Sequence, residues 1–225
     1  QAAAGMLTMP AGYFSEFAKL CRKYNVLVIA DEVATGFGHT GSMFACEIEN
    51  VKPDILCLAK GISGGYLPLA ATLTTEKIYK GFLGRYEEFK TFFHGHTYTA
   101  NPLACSAAIA NLKVFRDKKV IEKLGSKIEF LRNELEILKL SPYVGEIRQL
   151  GIMAGVEIVR SKETKEMFPP EEKIAIRICH NARNHGVILR PLGNVLVILP
   201  PLSIKNEHIR KIVRAIKKSI SEILK

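Results

Sequence analysis

Short apolar runs alternate with amphipathic segments over the first third of the chain. The run at 26–30 is continuous enough to predict a strand that is buried on both faces. Because the strands are separated by crossover segments, we expect a parallel sheet whose carboxyl-end loops open on one edge. The predicted elements are a helix over 10–24, strands over 26–30, 55–58 and about 69–74, a short helix near 42–49, and a helix that begins at Thr75-Glu76.

Beyond residue 100 the pattern is first helical and then mixed. A long helical region is predicted over about 102–140, with an interruption near Gly125. Strands are predicted near 147–149, 154–159, 187–190 and 195–199, with a helix near 171–184. The last helix carries a single apolar stripe, which is typical of a surface helix packed on a core. The stripe consists of Ile209, Ile212, Val213, Ile216, Ile220 and Ile223.

These elements predict an α/β fold with two domains. Residues 1–115 are expected to form part of a large domain with a mainly parallel sheet, and residues 116–225 a smaller α+β domain. The chain opens with QAAAGMLTMP and has no initiator Met. We therefore expect it to be the C-terminal portion of a larger protein.

Composition narrows the function classes. The 32 basic and 22 acidic residues give a net charge of +10, but no basic tract is interleaved with aromatic residues, which argues against nucleic-acid binding. No apolar run approaches the roughly 20 residues that span a bilayer, and no secretion leader is evident. The five cysteines are scattered and lack CxxC spacing, which predicts reduced thiols in the cytoplasm and no metal site.

Two charged residues follow the first two predicted strands. Asp31 ends the run 26–30, and Lys60 follows the run 55–58, so both are expected at the same sheet edge. An acid at such a strand end also suits a magnesium-dependent nucleotide hydrolase, but no GxxxxGK[ST] loop is present to support that interpretation. Alternatively, Asp31 could cap a helix.

The pairing of Asp31 with Lys60 favours a third chemistry. An amine in a confined pocket can attack a carbonyl and form a Schiff base, and an aspartate nearby can stabilise a positive ring nitrogen. The small residues Ala59 and Gly61 leave room beside the lysine for a ligand. Pyridoxal phosphate (PLP) requires this combination of acid and amine.

Three segments carry a resemblance to a known family. IADEVATGFGHTGSMFA, PDILCLAKGISGGYLPLAATLT and TFFHGHTYTANPLAC resemble the class III, fold-type I PLP-dependent aminotransferases. This resemblance implies that residues 1–115 are the C-terminal half of the PLP-binding large domain. It also implies a homodimer whose active site is shared across the interface, acting on small-molecule substrates.

The resemblance assigns five residues to the cofactor. Asp31 is expected to pair with the pyridine nitrogen, and Val33 to pack on one face of the ring. Lys60 is expected to form the Schiff base and then to move a proton as a catalytic base and acid. Thr97 would hold the cofactor phosphate across the dimer interface through its hydroxyl and backbone N–H, with a backbone contribution from His96.

Substrate-binding positions are implied in the same way. Lys60 faces the substrate, Gly95 lies where the keto acid passes, and Arg190 binds its carboxylate. The segments FFHGHTY and LRPLGNVLVILPPLS favour the biotin-pathway branch of the family. That branch converts 8-amino-7-oxononanoate to 7,8-diaminononanoate with S-adenosylmethionine or lysine as donor. The alternatives are another class III omega-aminotransferase, or a catalytically incomplete fragment with a structural role.

Overall fold

The structure is a computed structural model and describes all 225 residues. It divides into two compact units, which are named here for where most of their residues lie. The N-terminal unit comprises residues 9–37 and 42–120. The C-terminal unit comprises residues 1–8, 38–41 and 121–225. The assignment of residues 1–115 and 116–225 to a large and a small domain remains a prediction.

A three-stranded sheet organises the N-terminal unit. Its elements are α1 (Tyr13–Lys23), β1 (Ile29–Asp31), β2 (Ile55–Leu58), β3 (Ala71–Thr74), α2 (Glu76–Lys80), α3 (Pro102–Asp117) and 3-10 helices at Ala45–Glu49, Lys60–Ser63 and Tyr86–Glu88. β1 and β2 run parallel, as predicted, whereas β3 is antiparallel to β2. The connection from Leu58 to Ala71 contains no α-helix that could cross the sheet, so the chain turns back beside β2.

The first strand is buried on one face only. Val28 and Ala30 are buried, but Ile29 is 62% exposed. β1 lies at the edge of the sheet and pairs only with β2. The prediction of a strand buried on both faces is therefore wrong for this chain, because the face of β1 that carries Ile29 is open to solvent.

A small apolar cluster attaches α3 to the turn that follows β2. Phe37, Leu58, Ile62 and Ala108 are buried together. The helix itself begins where the sequence indicates, because the Asn101 side chain accepts the N–H groups of the first turn. This packing fixes α3 beside the segment that carries Lys60.

The break in the long helical region differs slightly from the prediction. α3 ends at Asp117, and α4 (Leu124–Leu135) begins after a short connection, so Gly125 lies inside the first turn of α4. Lys119 adopts φ 49°. A left-handed residue cannot continue a right-handed helix, so the interruption falls there and not at the glycine.

The C-terminal unit is a four-stranded antiparallel sheet with helices. Its sheet order is β4-β5-β7-β6. Its elements are α4, β4 (Val144–Leu150), β5 (Met153–Ile158), α5 (Ile174–Asn181), β6 (Pro191–Leu192), β7 (Val195–Ile198), α6 (Asn206–Ile223) and 3-10 helices at Ala2–Ala4, Glu136–Leu140, Pro170–Glu172 and Ala182–His185. As predicted, the apolar stripe of α6 packs into the core of this unit. None of the helices combines the length and apolarity needed to cross a bilayer.

One predicted strand is displaced along the chain. The run at 187–190 is not a strand, and β6 begins at Pro191 instead. The tight turn at Gly193-Asn194 joins β6 to β7, and Gly193 has φ 58° there. Pairing across a two-residue turn starts at the residues that flank it, which places Arg190 just before the strand.

Candidate active site

The parallel pairing of β1 with β2 places Asp31 opposite Cys57. The N–H of Glu32 donates to the carbonyl of Cys57 at 2.9 Å, which extends the register by one hydrogen bond. Lys60 follows three positions after Cys57 along the chain. The first two predicted site residues therefore emerge from the carboxyl ends of adjacent strands, as the sequence predicts.

Asp31 keeps part of its carboxylate available. Its side chain is exposed, and Oδ1 accepts the backbone N–H of Val33 at 3.0 Å. Oδ2 has no partner in the chain. The local hydrogen bond orients the carboxylate and links its position to that of Val33, which is half-buried.

Glu32 has the opposite environment. This carboxylate is only 2% exposed and accepts the hydroxyl of Thr35. It also accepts the N–H of Ala45 at 2.9 Å and that of Cys46 at 2.7 Å. These donors open the 3-10 helix at Ala45–Glu49, so the acid that satisfies a helix start is Glu32.

Burial around Glu32 also affects a thiol. Burial of Cys46, with a further contribution from the Glu32 carboxylate, raises the pKa of the thiol to about 11. Cys46 is therefore protonated at neutral pH and is a poor nucleophile. This side of the strand end is structural, whereas Asp31 is open to a ligand.

The backbone of Lys60 is held in an uncommon conformation. Its φ is 43°, in the left-handed region, where a non-glycine residue costs about 1–3 kcal/mol. The side chain is exposed and has no hydrogen-bond or ion-pair partner in the chain. At Gly61, an added Cβ would lie 2.8 Å from Cβ of Phe37, so only glycine fits beside the lysine.

Asn111 of α3 contacts the same turn. Its Nδ2 donates to the carbonyl of Gly61 at 2.8 Å and to that of Ile62 at 3.0 Å. This residue was not among the predicted site residues. A signal was present, because Asn111 lies at helical spacing from the buried residues Ala104 and Ala108, where an apolar side chain is expected.

The loop before α3 folds around His96. The N–H of His96 donates to Thr99 Oγ1 at 3.0 Å, and the N–H of Tyr98 donates to His96 Nδ1 at 3.1 Å. Thr97 and Gly95 are exposed in this loop, and the Thr97 hydroxyl has no partner in the chain. Hydrogen bonds from backbone N–H groups to the side chains of Thr99 and His96 thus hold the loop and leave the Thr97 hydroxyl for a ligand. No group of three histidine, cysteine or acidic side chains suited to a metal occurs in the chain.

The predicted site residues are divided between the two units. Asp31, Val33 and Lys60 lie at one sheet edge of the N-terminal unit, which also contains the Gly95–Thr97 loop. Arg190 belongs to the C-terminal unit, where it is exposed just before β6. Its carbonyl accepts the N–H of Val197 at 3.3 Å, and its guanidinium has no partner.

The residues present fit PLP. A free amine and a free carboxylate oxygen at neighbouring strand ends supply the two groups that the cofactor's aldehyde and ring nitrogen require. An unpartnered loop hydroxyl suits a phosphate oxygen. The hydrogen bonds of Glu32, in contrast, all serve the fold, so of the two adjacent acids only Asp31 is suited to the cofactor.

The two adjacent acids should respond differently to isosteric amide substitution. Glu32→Gln places an NH2 group against backbone N–H donors, so we expect the free energy of unfolding to fall by about 2 kcal/mol. Asp31→Asn retains the acceptor for Val33 and should change that free energy by less than about 0.5 kcal/mol. Urea unfolding of the two variants and of the wild-type protein, all free of cofactor, measures both changes in the free energy of unfolding. Equal decreases in the two variants would contradict the structural role of Glu32.

Comparisons with known proteins identify the family of the chain. The family model for aminotransferase class-III matches residues 1–220. The chain is 53% identical over 220 residues to an adenosylmethionine-8-amino-7-oxononanoate aminotransferase of Nitratidesulfovibrio vulgaris, covering 98% of this chain and 41% of that relative. The chain spans about half the length of the curated relatives that it matches.

Solved structures lead to the same family. A crystal structure of adenosylmethionine-8-amino-7-oxononanoate aminotransferase from Methanocaldococcus jannaschii matches with a TM-score of 0.95 at 48% identity, over 98% of this chain and 51% of that chain. An (S)-enantioselective omega-transaminase from Thermomicrobium roseum matches with a TM-score of 0.91 at 36% identity, over 98% and 49%. The chain therefore belongs to the class-III aminotransferases, a family of PLP-dependent enzymes.

Proposed function

We propose that this chain is the lysine-bearing part of an aminotransferase that converts 8-amino-7-oxononanoate to 7,8-diaminononanoate in biotin biosynthesis. The observation that carries the proposal is the pair formed by a free Asp31 oxygen and a free Lys60 amine at adjacent strand ends. The names of three relatives that are 50–53% identical to the chain support the choice of substrate.

The residues divide the chemistry among them. When bound, PLP supplies a ring that withdraws electrons from the substrate carbon. Asp31 would hold the proton on the ring nitrogen, a charged hydrogen bond worth about 1.5–3 kcal/mol. Nζ of Lys60 would hold the cofactor through its aldehyde and would serve as the base and acid that moves the proton. Val33 would pack against the ring.

The remaining roles concern binding. The hydroxyl of Thr97 would hold the cofactor phosphate across the interface of the proposed homodimer, and the backbone of His96 would support it within the loop fixed by Thr99. Gly95 leaves space for the keto acid. Arg190 binds the substrate carboxylate, because its planar guanidinium can donate two parallel hydrogen bonds.

The proposal also covers the amino donor, the oligomeric state and the cellular location of the protein. S-adenosylmethionine is proposed as the donor, in keeping with the relatives' names, and lysine is the alternative. A homodimer that shares its site is proposed from the family resemblance. A cytoplasmic location is supported by five free cysteines, three of them buried.

Another class III omega-aminotransferase specificity is the alternative function. The omega-transaminase from Thermomicrobium roseum shares the fold at lower identity. An amino-donor screen on the natural protein, with 8-amino-7-oxononanoate as acceptor, separates the two. Amination of that acceptor supports the proposal, and amination of other ketones alone supports the alternative.

Lys60 can be tested directly. We expect the natural protein to be coloured by bound PLP and borohydride to fix the cofactor on Lys60, because hydride makes the carbon–nitrogen link irreversible. Lys60→Arg should abolish the fixation and shift the visible band, because arginine cannot form the carbon–nitrogen link. The matched control is Lys77→Arg on α2, an exposed lysine, which should retain both. Peptide mass spectrometry gives the readout; fixation at another lysine would overturn the assignment.

Asp31→Asn should separate catalysis from folding. Loss of the negative charge would weaken the hold of the ring nitrogen on its proton, so turnover should fall by about a hundredfold. The control is Asp117→Asn, which alters an exposed ion pair with Arg116. Steady-state kinetics of PLP-loaded protein measures the effect, and near-normal turnover would refute the role of Asp31.

Arg190→Ala should affect one substrate. We expect a raised KM for the keto acid, by about tenfold or more, with little change in the donor half-reaction, because Arg190 is assigned to the carboxylate of the keto acid. Arg177→Ala on α5 serves as an exposed control. Single-turnover measurements of each half-reaction decide the matter. Equal damage to both would show that Arg190 has another role.

A further inference from the structure

The turn that carries Lys60 is attached to α3 by one polar side chain. Asn111 has one amide nitrogen with two hydrogens, and that nitrogen lies within hydrogen-bond distance of two carbonyls, those of Gly61 and Ile62. The Gly61 carbonyl also accepts the N–H of Gly64 at 3.1 Å within the turn. Both donors of the amide are therefore used on the two residues that follow the lysine.

The position of Asn111 on an otherwise apolar helix face indicates that the amide has a specific use. Neighbouring residues on the same face of α3, Ala104 and Ala108, are buried, and Ala108 packs in the cluster that contains Ile62. Simple packing of helix against turn would require only an apolar residue at 111. An added Cβ at Gly64 would lie 3.0 Å from Asn111 Oδ1, so the turn also leaves room for the amide.

The turn needs such a restraint for two reasons. Lys60 has a positive φ, which the local sequence does not favour because a side chain is present. Its side chain is exposed and has no hydrogen-bond or ion-pair partner in the chain that could orient it. The direction in which the amine projects therefore depends on the backbone of the turn, and that backbone is fixed on one side by Phe37 against Gly61 and on the other by Asn111.

We propose that Asn111 is a positioning residue for Lys60: it holds the turn in the conformation that presents the amine to PLP. This inference rests on the proposed function. It concerns a residue that does not touch the cofactor, and it acts through the carbonyls of Gly61 and Ile62.

The test compares Asn111→Asp with the natural protein, both loaded with PLP. Aspartate keeps the shape but has no donors, and its charge faces two carbonyl oxygens. We expect PLP to dissociate about tenfold faster, the order expected for loss of two modest hydrogen bonds. The pH midpoint of the visible band should move by at least about 0.5 pH unit, a threefold change in the dissociation constant of the proton.

Two further variants complete the design. Asn111→Ser is uncharged and keeps one donor, so it should give the same effects at smaller size and replaces the aspartate variant if that one does not fold. Asn133→Asp makes the same substitution at an exposed position of α4 and should leave both readouts unchanged. Circular dichroism confirms equal folded fractions before the comparison.

The outcomes separate the two proposals. A natural protein without the visible band, or without borohydride fixation at Lys60, would refute the proposed function. A natural protein with both, but Asn111 variants with unchanged midpoint and PLP release, would refute the positioning role alone. A lowered melting temperature with those two readouts unchanged would also refute the positioning role, because Asn111 would then contribute only to the packing of α3.

Discussion

The parallel hydrogen bonds between β1 and β2 are the constraint on which the candidate site depends. They align Asp31 with Cys57, which precedes Lys60 by three residues. The acid and the lysine therefore both lie where the carboxyl ends of β1 and β2 meet. A shift of one residue in this register would exchange the environments of Asp31 and Glu32. It would bury the free carboxylate and expose the one that completes the 3-10 helix at Ala45–Glu49.

Around this pairing, each contact has either a structural or a chemical use. Glu32 accepts hydrogen bonds from the start of a 3-10 helix, and Gly61 lies close to Phe37. Asn111 donates to two backbone carbonyls. Asp31 and Lys60 retain free polar atoms. This division explains how an acid pair and a lysine turn can be firmly held by the fold and yet be open to a ligand.

Much of this arrangement could be predicted from the sequence. The strand ends at Asp31 and Lys60, and the stripe of α6, follow from apolar runs and helical period, which are local properties. The direction of β3 and the exposure of Ile29 could not be predicted in this way. They depend on which segments pair with a strand and which segments cover its faces. Asn111 was missed because a single polar residue on an apolar helix face shows its purpose only through a partner 50 positions away.

The open side of β1 has a practical consequence. Ile29 and its neighbours Val26 and Leu27 present apolar side chains to solvent beside backbone groups that pair with no strand. Such an edge can recruit a strand from another molecule. Recombinant production of these 225 residues by themselves would therefore favour inclusion bodies. Soluble material for spectroscopy would require charged substitutions at the unpaired edge of β1, or a fused polypeptide that covers it.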